Sequence, residues 1–271
     1  MVSVIIPSRQ ERFLDQTIND VLAKATGEIE VIVVLDGYEP EKFIEDLRVR
    51  YIRIPWSNQM QKRLGINAAA KEAKGEYLMC LDAHCMIGPG FDEVLAHDCQ
   101  DNWIVIPRRY KLEPESWTVK QDGSLPVDYE YWKLKEFGMG YLKPYRWDSR
   151  AIERKDIPID DTLTFQGSCW FMFRSYFRRM GFMRTEGYTG WGQEDVELAM
   201  EAWTCGGRVM VDKNTWYAHL YKGRKYGRMY RANQEQHARS RAYAYDYWCV
   251  QRKEEFMATL KKFAPIPNWS L

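Results

Sequence analysis

The chain has 271 residues and a formal net charge of +1. That is long enough for one large domain or two small ones with a substantial core, and too balanced in charge for the whole surface to be a polyanion binder. Aromatic residues make up 14% of it, with 11 Trp and 17 Tyr, side chains that stack on planar or polyhydroxylated ligands as readily as they fill a core. The six cysteines form no Cys-x-x-Cys pair and read as reduced thiols. With neither a signal peptide nor an apolar run of about 20 residues, the expectation is a soluble cytoplasmic protein.

In chain order, Val2 to Ile6 is an apolar strand ending at Pro7, and Phe13 to Ala25 has helical spacing. Ile29 to Leu35 is a second strand, closed by Asp36-Gly37; Phe43 to Leu47 reads as a short helix and Val49 to Ile54 as a third strand. Gln59 to Lys74 is a helix, Tyr77 to Leu81 a fourth strand and Trp103 to Ile106 a fifth. From Pro107 to Pro158 periodicity is weak, which suggests an insertion or an acceptor-side region and not a second full domain. Phe165 to Arg174 is again a strand, followed by short helix Tyr176 to Met180 and a glycine-rich loop feeding a helix from Gln193 to Cys205. Strands at Arg208–Val211 and Trp216–His219 lead to a helical stretch, Arg228 to Phe263, which Pro265 and Pro267 end.

Continuous apolar strands alternating with helices predict a mostly parallel sheet covered on both faces. Ligands of such sheets bind beyond the carboxyl ends of the strands, so Pro7-Ser8-Arg9, Asp36-Gly37 and Asp82-Ala83-His84 should face one crevice. Neither a G-x-G-x-x-G nor a G-x-x-x-x-G-K-[ST] motif is present.

Asp82 and His84 are two residues apart, so on a strand both side chains point the same way. A carboxylate with an imidazole suits manganese or zinc better than calcium, and a divalent ion there would neutralise charge on a diphosphate leaving group. Equally, the two could simply be a polar strand end. His219, at the end of a late strand, is the natural third ligand. Glu194 and Asp195 follow Gly190-Trp191-Gly192 at a helix start, where acids complement the helix dipole or present a carboxylate to a substrate; about 100° apart on a helix, they cannot aim at the same atom. Asp36 could serve a nucleobase or ribose, and Arg63 a phosphate or ribose. Between Leu220 and Lys253 nine basic residues (Lys222, Arg224, Lys225, Arg228, Arg231, Arg239, Arg241, Arg252, Lys253) face only Glu235 and Asp246, a local net charge of +7. Such a run is usable for diphosphate or nucleic acid and is otherwise a solvated helix face.

Four blocks in this order resemble the GT-A glycosyltransferases of family two, in particular the polypeptide N-acetylgalactosaminyltransferases. "VSVIIPSRQERFLDQTINDVL" with "EIEVIVVLDG" is similar to their nucleotide-binding half, and "QKRLGINAAAKEAKGEYLMCLDAHCMI" to their arginine-bearing helix and Asp-x-His strand. "FQGSCWFMFRSYFRRMGFM" and "GWGQEDVELAMEAWTCGGRVMVDKNTWYAHLYK" resemble the strand before the catalytic loop, then that loop, its helix and the late metal-binding His. The likeness covers about residues 1 to 222. It implies an α/β GT-A (Rossmann-like) fold with a mostly parallel central sheet and helices on both faces. Residues 1–222 would form the catalytic domain, its nucleotide-binding half at 1–106 and its acceptor half at 107–222, and 223–271 a basic helical tail.

The resemblance further implies a metal-dependent transferase moving a sugar from a UDP-sugar to an acceptor hydroxyl. Mn2+, or another divalent cation, would bind Asp82, His84 and His219. Pro7, Arg9, Asp36, Arg63 and Asp82 would contact the nucleotide, with Lys222 closing on the diphosphate, and Trp191, Glu194 and Asp195 would hold sugar and acceptor. The loop departs from the family's Trp-Gly-Gly-Glu-Asn, with Gln193 for its second glycine and Asp195 for its asparagine. A Glu-Asp pair is similar to inverting relatives, in which the aspartate, ionised at pH 7, is the general base; the metal set matches retaining ones, which tips the expectation slightly to retention. The acceptor is left open among a hydroxylated base in DNA, a glycan and a protein side chain. The alternatives are a non-catalytic nucleic-acid or sugar-nucleotide binder, which would have little use for the metal set, and a nucleotidyltransferase, which would need a Gly- and Lys-rich loop that Pro7-Ser8-Arg9-Gln10 does not supply.

Overall fold

The computed structural model describes the whole chain except Gly138, Arg224, Arg231, Ala232, Ser270 and Leu271, so the basic candidates Arg224 and Arg231 lie outside the described residues. Its first half alternates as the apolar runs predict: β1 (Val2–Ser8), α1 (Leu14–Lys24), β2 (Ile29–Asp36), β3 (Val49–Ile54), α2 (Lys62–Glu72) and β4 (Tyr77–Leu81). Then come β5 (Cys85–Ile87), α3 (Phe91–Asp98), β6 (Trp103–Glu113), β7 (Thr118–Val119), the hairpin β8 (Glu130–Phe137) and β9 (Met139–Arg146), α4 (Asp148–Glu153) and β10 (Ile159–Asp161). The rest of the chain forms β11 (Cys169–Phe173), α5 (Arg174–Arg179), α6 (Glu194–Thr204), β12 (Arg208–His219), α7 (Gln234–Tyr245), a π-helical segment Asp246–Gln251 and α8 (Lys253–Lys262).

The main sheet runs β10-β12-β6-β11-β4-β1-β2-β3. Its β4-β1-β2-β3 half is wholly parallel. Beyond β4 the antiparallel strand β11 separates it from the parallel pair β6 and β12. Strand β2 is buried along its whole length, as a strand covered on both faces must be. Helix α1 buries Leu14, Thr17, Ile18 and Val21 against the sheet, the i, i+3, i+4, i+7 stripe of an amphipathic helix. Helix α2 lies close on β2 because Gly65 has no side chain: a Cβ there would stand 2.6 Å from Val34 Cγ1.

Several elements differ from the sequence expectation. Phe43 to Leu47 is irregular, not helical. Five residues are too few to offset helix nucleation, and the backbone N–H of Ile44 donates to the Tyr51 hydroxyl at 2.9 Å instead. The stretch after Pro107 is ordered: β6 runs on to Glu113, and β8–β9 place Tyr131, Trp132 and Leu142 in the main core. The two late strands are one, β12, with a register shift between Asp212 and Trp216. The C-terminal helix begins only at Gln234, where the Asn233 side chain caps it, and is interrupted by the π-helical segment. Trp248, Phe256, Leu260 and Phe263 of this segment share the core of the first 222 residues. Among the described residues no helix is long and apolar enough to cross a membrane.

Candidate active site

The carboxyl ends of β1, β2 and β4 meet the end of β12 around a cleft of about 730 Å³. Pro7, Arg9, Asp36, Asp82, His84, Trp191, His219 and Lys222 all line it. The polypeptide brings His219 to His84 by register: β12 pairs antiparallel with β5, setting His219 opposite Cys85, and Leu220 N–H bonds the His84 carbonyl at 3.1 Å.

At the cleft's centre, ligand atoms of Asp82, His84 and His219 lie within 4.8 Å of one another. The two imidazole Nε2 atoms are 3.2 Å apart, and His219 Nε2 is 3.7 Å from Asp82 Oδ2. Burial opposes charge on Asp82, yet Lys62, the hydrogen bond with His219 and the neighbouring imidazoles hold its carboxyl well below the usual range. Burial lowers His219 to about 4, against the pull of Asp82, so its imidazole is neutral at pH 7. An ionised carboxylate and a neutral imidazole are the ligating forms. Adjacent donors about 2.1 Å from one ion stand about 3 Å apart, so the set fits a borderline divalent cation.

A cationic frame surrounds this set. Lys62 Nζ donates to Asp82 Oδ1 at 2.8 Å and to the Gly167 carbonyl at 3.3 Å; burial alone would lower its pKa, but Asp82 and Glu194 raise it. Glu11 is bridged between His84 Nδ1 at 3.4 Å and Lys222 Nζ at 2.5 Å. Despite burial, those two partners hold the Glu11 carboxyl below its ordinary value. At the far end, Asp36 accepts from the Gln61 backbone at 2.9 Å and from Arg9 at 3.2 Å. Arg9 also donates to the carbonyls of Ser57 and Gln59 at 2.6 and 2.7 Å.

Arg63 does not reach the cleft. Helical neighbours point about 100° apart, so Lys62 faces Asp82 while Arg63 turns into the core. There its guanidinium pairs with Glu197, bonds the Gly192 carbonyl at 3.2 Å and lies 3.7 Å from the centroid of the Tyr188 ring. It braces the Trp191–Asp195 loop from behind. Lys62, not singled out from the sequence, holds the position expected of Arg63; being the immediate neighbour of a residue already chosen was the only signal.

The loop ends in an unusual cap. Gly190 and Gly192 have φ of 76° and 107°, and Gln193 adopts φ 63° as a non-glycine residue. Its side chain holds the Leu142 carbonyl at 3.2 Å. Both oxygens of Glu194 accept the Gly192 N–H, at 2.9 and 3.0 Å, which rigidifies the turn. The Asp195 carboxylate accepts the Val196 N–H at 3.0 Å. Burial first, then the charge of Glu194, pushes its pKa up to about 7. An Asp195 fully ionised at pH 7 is therefore corrected: in this setting it is poised at neutrality.

A smaller pocket of about 160 Å³ continues the cleft past Asp82 and Trp191. Lys62, Gln166, Glu194 and Asp195 line it, and α7 adds His237 and Arg241. His237 sits edge-on to Trp191 with centroids 4.3 Å apart. Neither α7 residue carried a local sequence motif.

Residues 3–181 match the family described as Glycosyl transferase family 2. Putative polypeptide N-acetylgalactosaminyltransferase 13 of Drosophila melanogaster is 24% identical over 245 residues, 82% of this chain and 42% of the relative. Polypeptide N-acetylgalactosaminyltransferase 6 of Homo sapiens is 27% identical over 205 residues, 71% of this chain and 32% of that protein. The chain thus spans under half the length of these curated relatives. Among solved structures, GalNAc-T7 with UDP, GalNAc and Mn2+ superposes with a TM-score of 0.66 at 19% identity, covering 100% of this chain and 53% of that one. S. aureus TarS in complex with UDP-GlcNAc gives 0.57 at 17% identity, covering 97% and 73%. At these identities the structural likeness concerns the fold.

Proposed function

The chain belongs to glycosyl transferase family 2, and we propose that it is a metal-dependent glycosyltransferase moving a sugar from a UDP-sugar to an acceptor hydroxyl. The observation that carries this reading is the meeting of Asp82, His84 and His219 at the centre of a cleft that a smaller pocket of about 160 Å³ continues. UDP binding in the similar structure of GalNAc-T7 supports the donor class.

On this reading the nucleoside lies toward Pro7, Arg9 and Asp36, and the diphosphate lies over Asp82, His84 and His219. Asp82, His84 and His219 would hold Mn2+, which would supply charge neutralisation for a diphosphate leaving group. Lys62 fixes the Asp82 carboxylate and adds a second positive charge under the same oxygens. Lys222 is available to them once released from Glu11. Trp191, whose buried Nε1 has no hydrogen-bond partner among the described residues, and Gln166 orient the sugar. Glu194, through Gly192, keeps the loop in place. The catalytic unit takes in α7 as well as residues 1–222.

Retention is the outcome the metal set suggests, with Glu194 and Asp195 positioning the sugar. Inversion is favoured by a separate observation: Asp195 has spare acceptor capacity and a pKa of about 7, suited to removing the acceptor proton. A screen of nucleoside-diphosphate sugars against hydroxylated-base DNA, glycans and peptides, with anomeric analysis of products, tests donor, acceptor and stereochemistry together. No turnover of any donor with any divalent ion would remove the enzyme reading and leave a binding protein.

A further inference from the structure

Much of the basic charge between Leu220 and Lys253 is paired. Lys222 is held by Glu11, Lys225 by Glu115, Arg239 by Glu235 and Arg252 by Glu255. Arg228, exposed, has no carboxylate partner among the described residues; its guanidinium lies 4.5 Å from the centroid of the Trp191 ring. Arg12, exposed in the loop after β1, also has none, and lies over Phe13. The two meet at a second cavity of about 390 Å³, which opens beside the cleft and shares Glu11, Lys222 and Arg228 with it.

The composition of this cavity is one-sided. Arg12, Lys222, Lys225 and Arg228 line it, against Glu11 alone, and Glu11 is already engaged by Lys222 and His84. The Lys225–Glu115 pair is 66% and 67% exposed, and such pairs hold little energy against a competing anion. Tyr226, half-buried and edge-on to the buried Phe13 with centroids 5.8 Å apart, presents an aromatic wall, and Met229, 65% exposed, stands at the rim. Guanidinium groups match phosphate oxygens. A basic groove with interleaved aromatic side chains takes single-stranded nucleic acid, phosphates on the cations and bases against the rings. A neutral glycan would leave the cations facing only water.

We propose that this cavity is a subsite for a phosphate-and-base unit of a single-stranded polynucleotide, whose adjacent unit reaches the cleft. That the strand is the acceptor rests on the glycosyltransferase reading; that the cavity binds it does not.

Fluorescence anisotropy of a labelled single-stranded oligothymidylate with the full chain, over a range of salt, tests the binding directly. Wild-type protein is expected to bind with a linear loss of log affinity in log salt. Arg12→Gln combined with Lys225→Gln should weaken binding at least tenfold and reduce that slope by about 1.4, two phosphate contacts at about 0.7 each. UDP affinity should stay unchanged, and Arg12→Lys should keep the slope. Absence of salt-dependent binding, an unaltered slope in the double variant, or equal displacement by inorganic polyphosphate of matching charge would each overturn the proposal. Donor hydrolysis, measured separately, reports on the transferase reading alone.

Discussion

His219 Nε2 stands 3.2 Å from His84 Nε2 across 135 residues of sequence. Two imidazole nitrogens this close share either a proton or a cation. Burial holds His219 neutral down to about pH 4, and ionised Asp82 is 3.7 Å away. The register of β12 on β5 thus brings two of the three candidate metal ligands together.

Replacing a ligand should therefore remove metal dependence without unfolding the protein. For His84→Ala, Mn2+-stimulated hydrolysis of a UDP-sugar is expected to drop at least about 100-fold, more than the loss of an outer-shell partner costs, with an unchanged circular dichroism spectrum. Full wild-type activity in EDTA would refute the metal assignment.

Lys62 pairs with Asp82, so a cation bound there would have to compete with it. Lys62→Met should tighten Mn2+ binding by about tenfold or more, because a positive charge 2.8 Å from Asp82 Oδ1 is gone. Turnover should nevertheless fall, since the diphosphate loses a partner. Calorimetric Mn2+ titration and donor hydrolysis read the two effects separately; weaker metal binding would show that Lys62 organises the site more than it opposes the ion.

Asp195 makes two pH predictions. Its folded pKa of about 7 lies above the ordinary 3.8, so the folded state binds the extra proton between these values. Its contribution to stability is present at low pH and lost as pH rises through about 7. Asp195→Asn, neutral throughout, should thus raise the melting temperature relative to wild type at pH 8 and not at pH 4. If Asp195 is the general base, wild-type kcat/KM also rises through about pH 7 and the variant loses that limb. A limb that survives in the variant supports retention.

Arg63 separates a structural role from a nucleotide-binding one. Its pair with Glu197 is almost wholly buried, and removing one partner of such a pair typically costs about 3–5 kcal/mol. Arg63→Met should lower the melting temperature and loosen the loop, visible as faster hydrogen exchange at Gly192, while UDP affinity is retained. A selective loss of UDP affinity with unchanged stability would restore Arg63 to the nucleotide site.

The parallel half of the sheet was readable from residues alone, because a strand buried on both faces is apolar throughout, as Ile29–Leu35 is, and ends where polar residues begin. The same rule placed Pro7-Ser8-Arg9, Asp36 and Asp82 on one rim. Strand β5 and helix α3 are not legible in the sequence, because three residues and an eight-residue helix carry too little periodicity. The hairpin β8–β9 was hidden because its buried Tyr131 and Trp132 are adjacent, between Glu130 and Lys133, which breaks the period-two alternation of a half-buried strand.

Local chemistry, then, was written in the chain: which side chains could bind metal, nucleotide or proton, and roughly which strand end carried each. Tertiary packing decided who meets whom. Helix geometry turned Lys62 to the cleft and Arg63 to Glu197. Strand register carried His219 to His84. The cost of burying two adjacent acids moved Asp195 to neutrality. α7, packed against the hairpin and the Trp191 loop, added His237 and Arg241 to the pocket. Directions and burial arise only when distant segments pack, so no spacing along the chain could encode them.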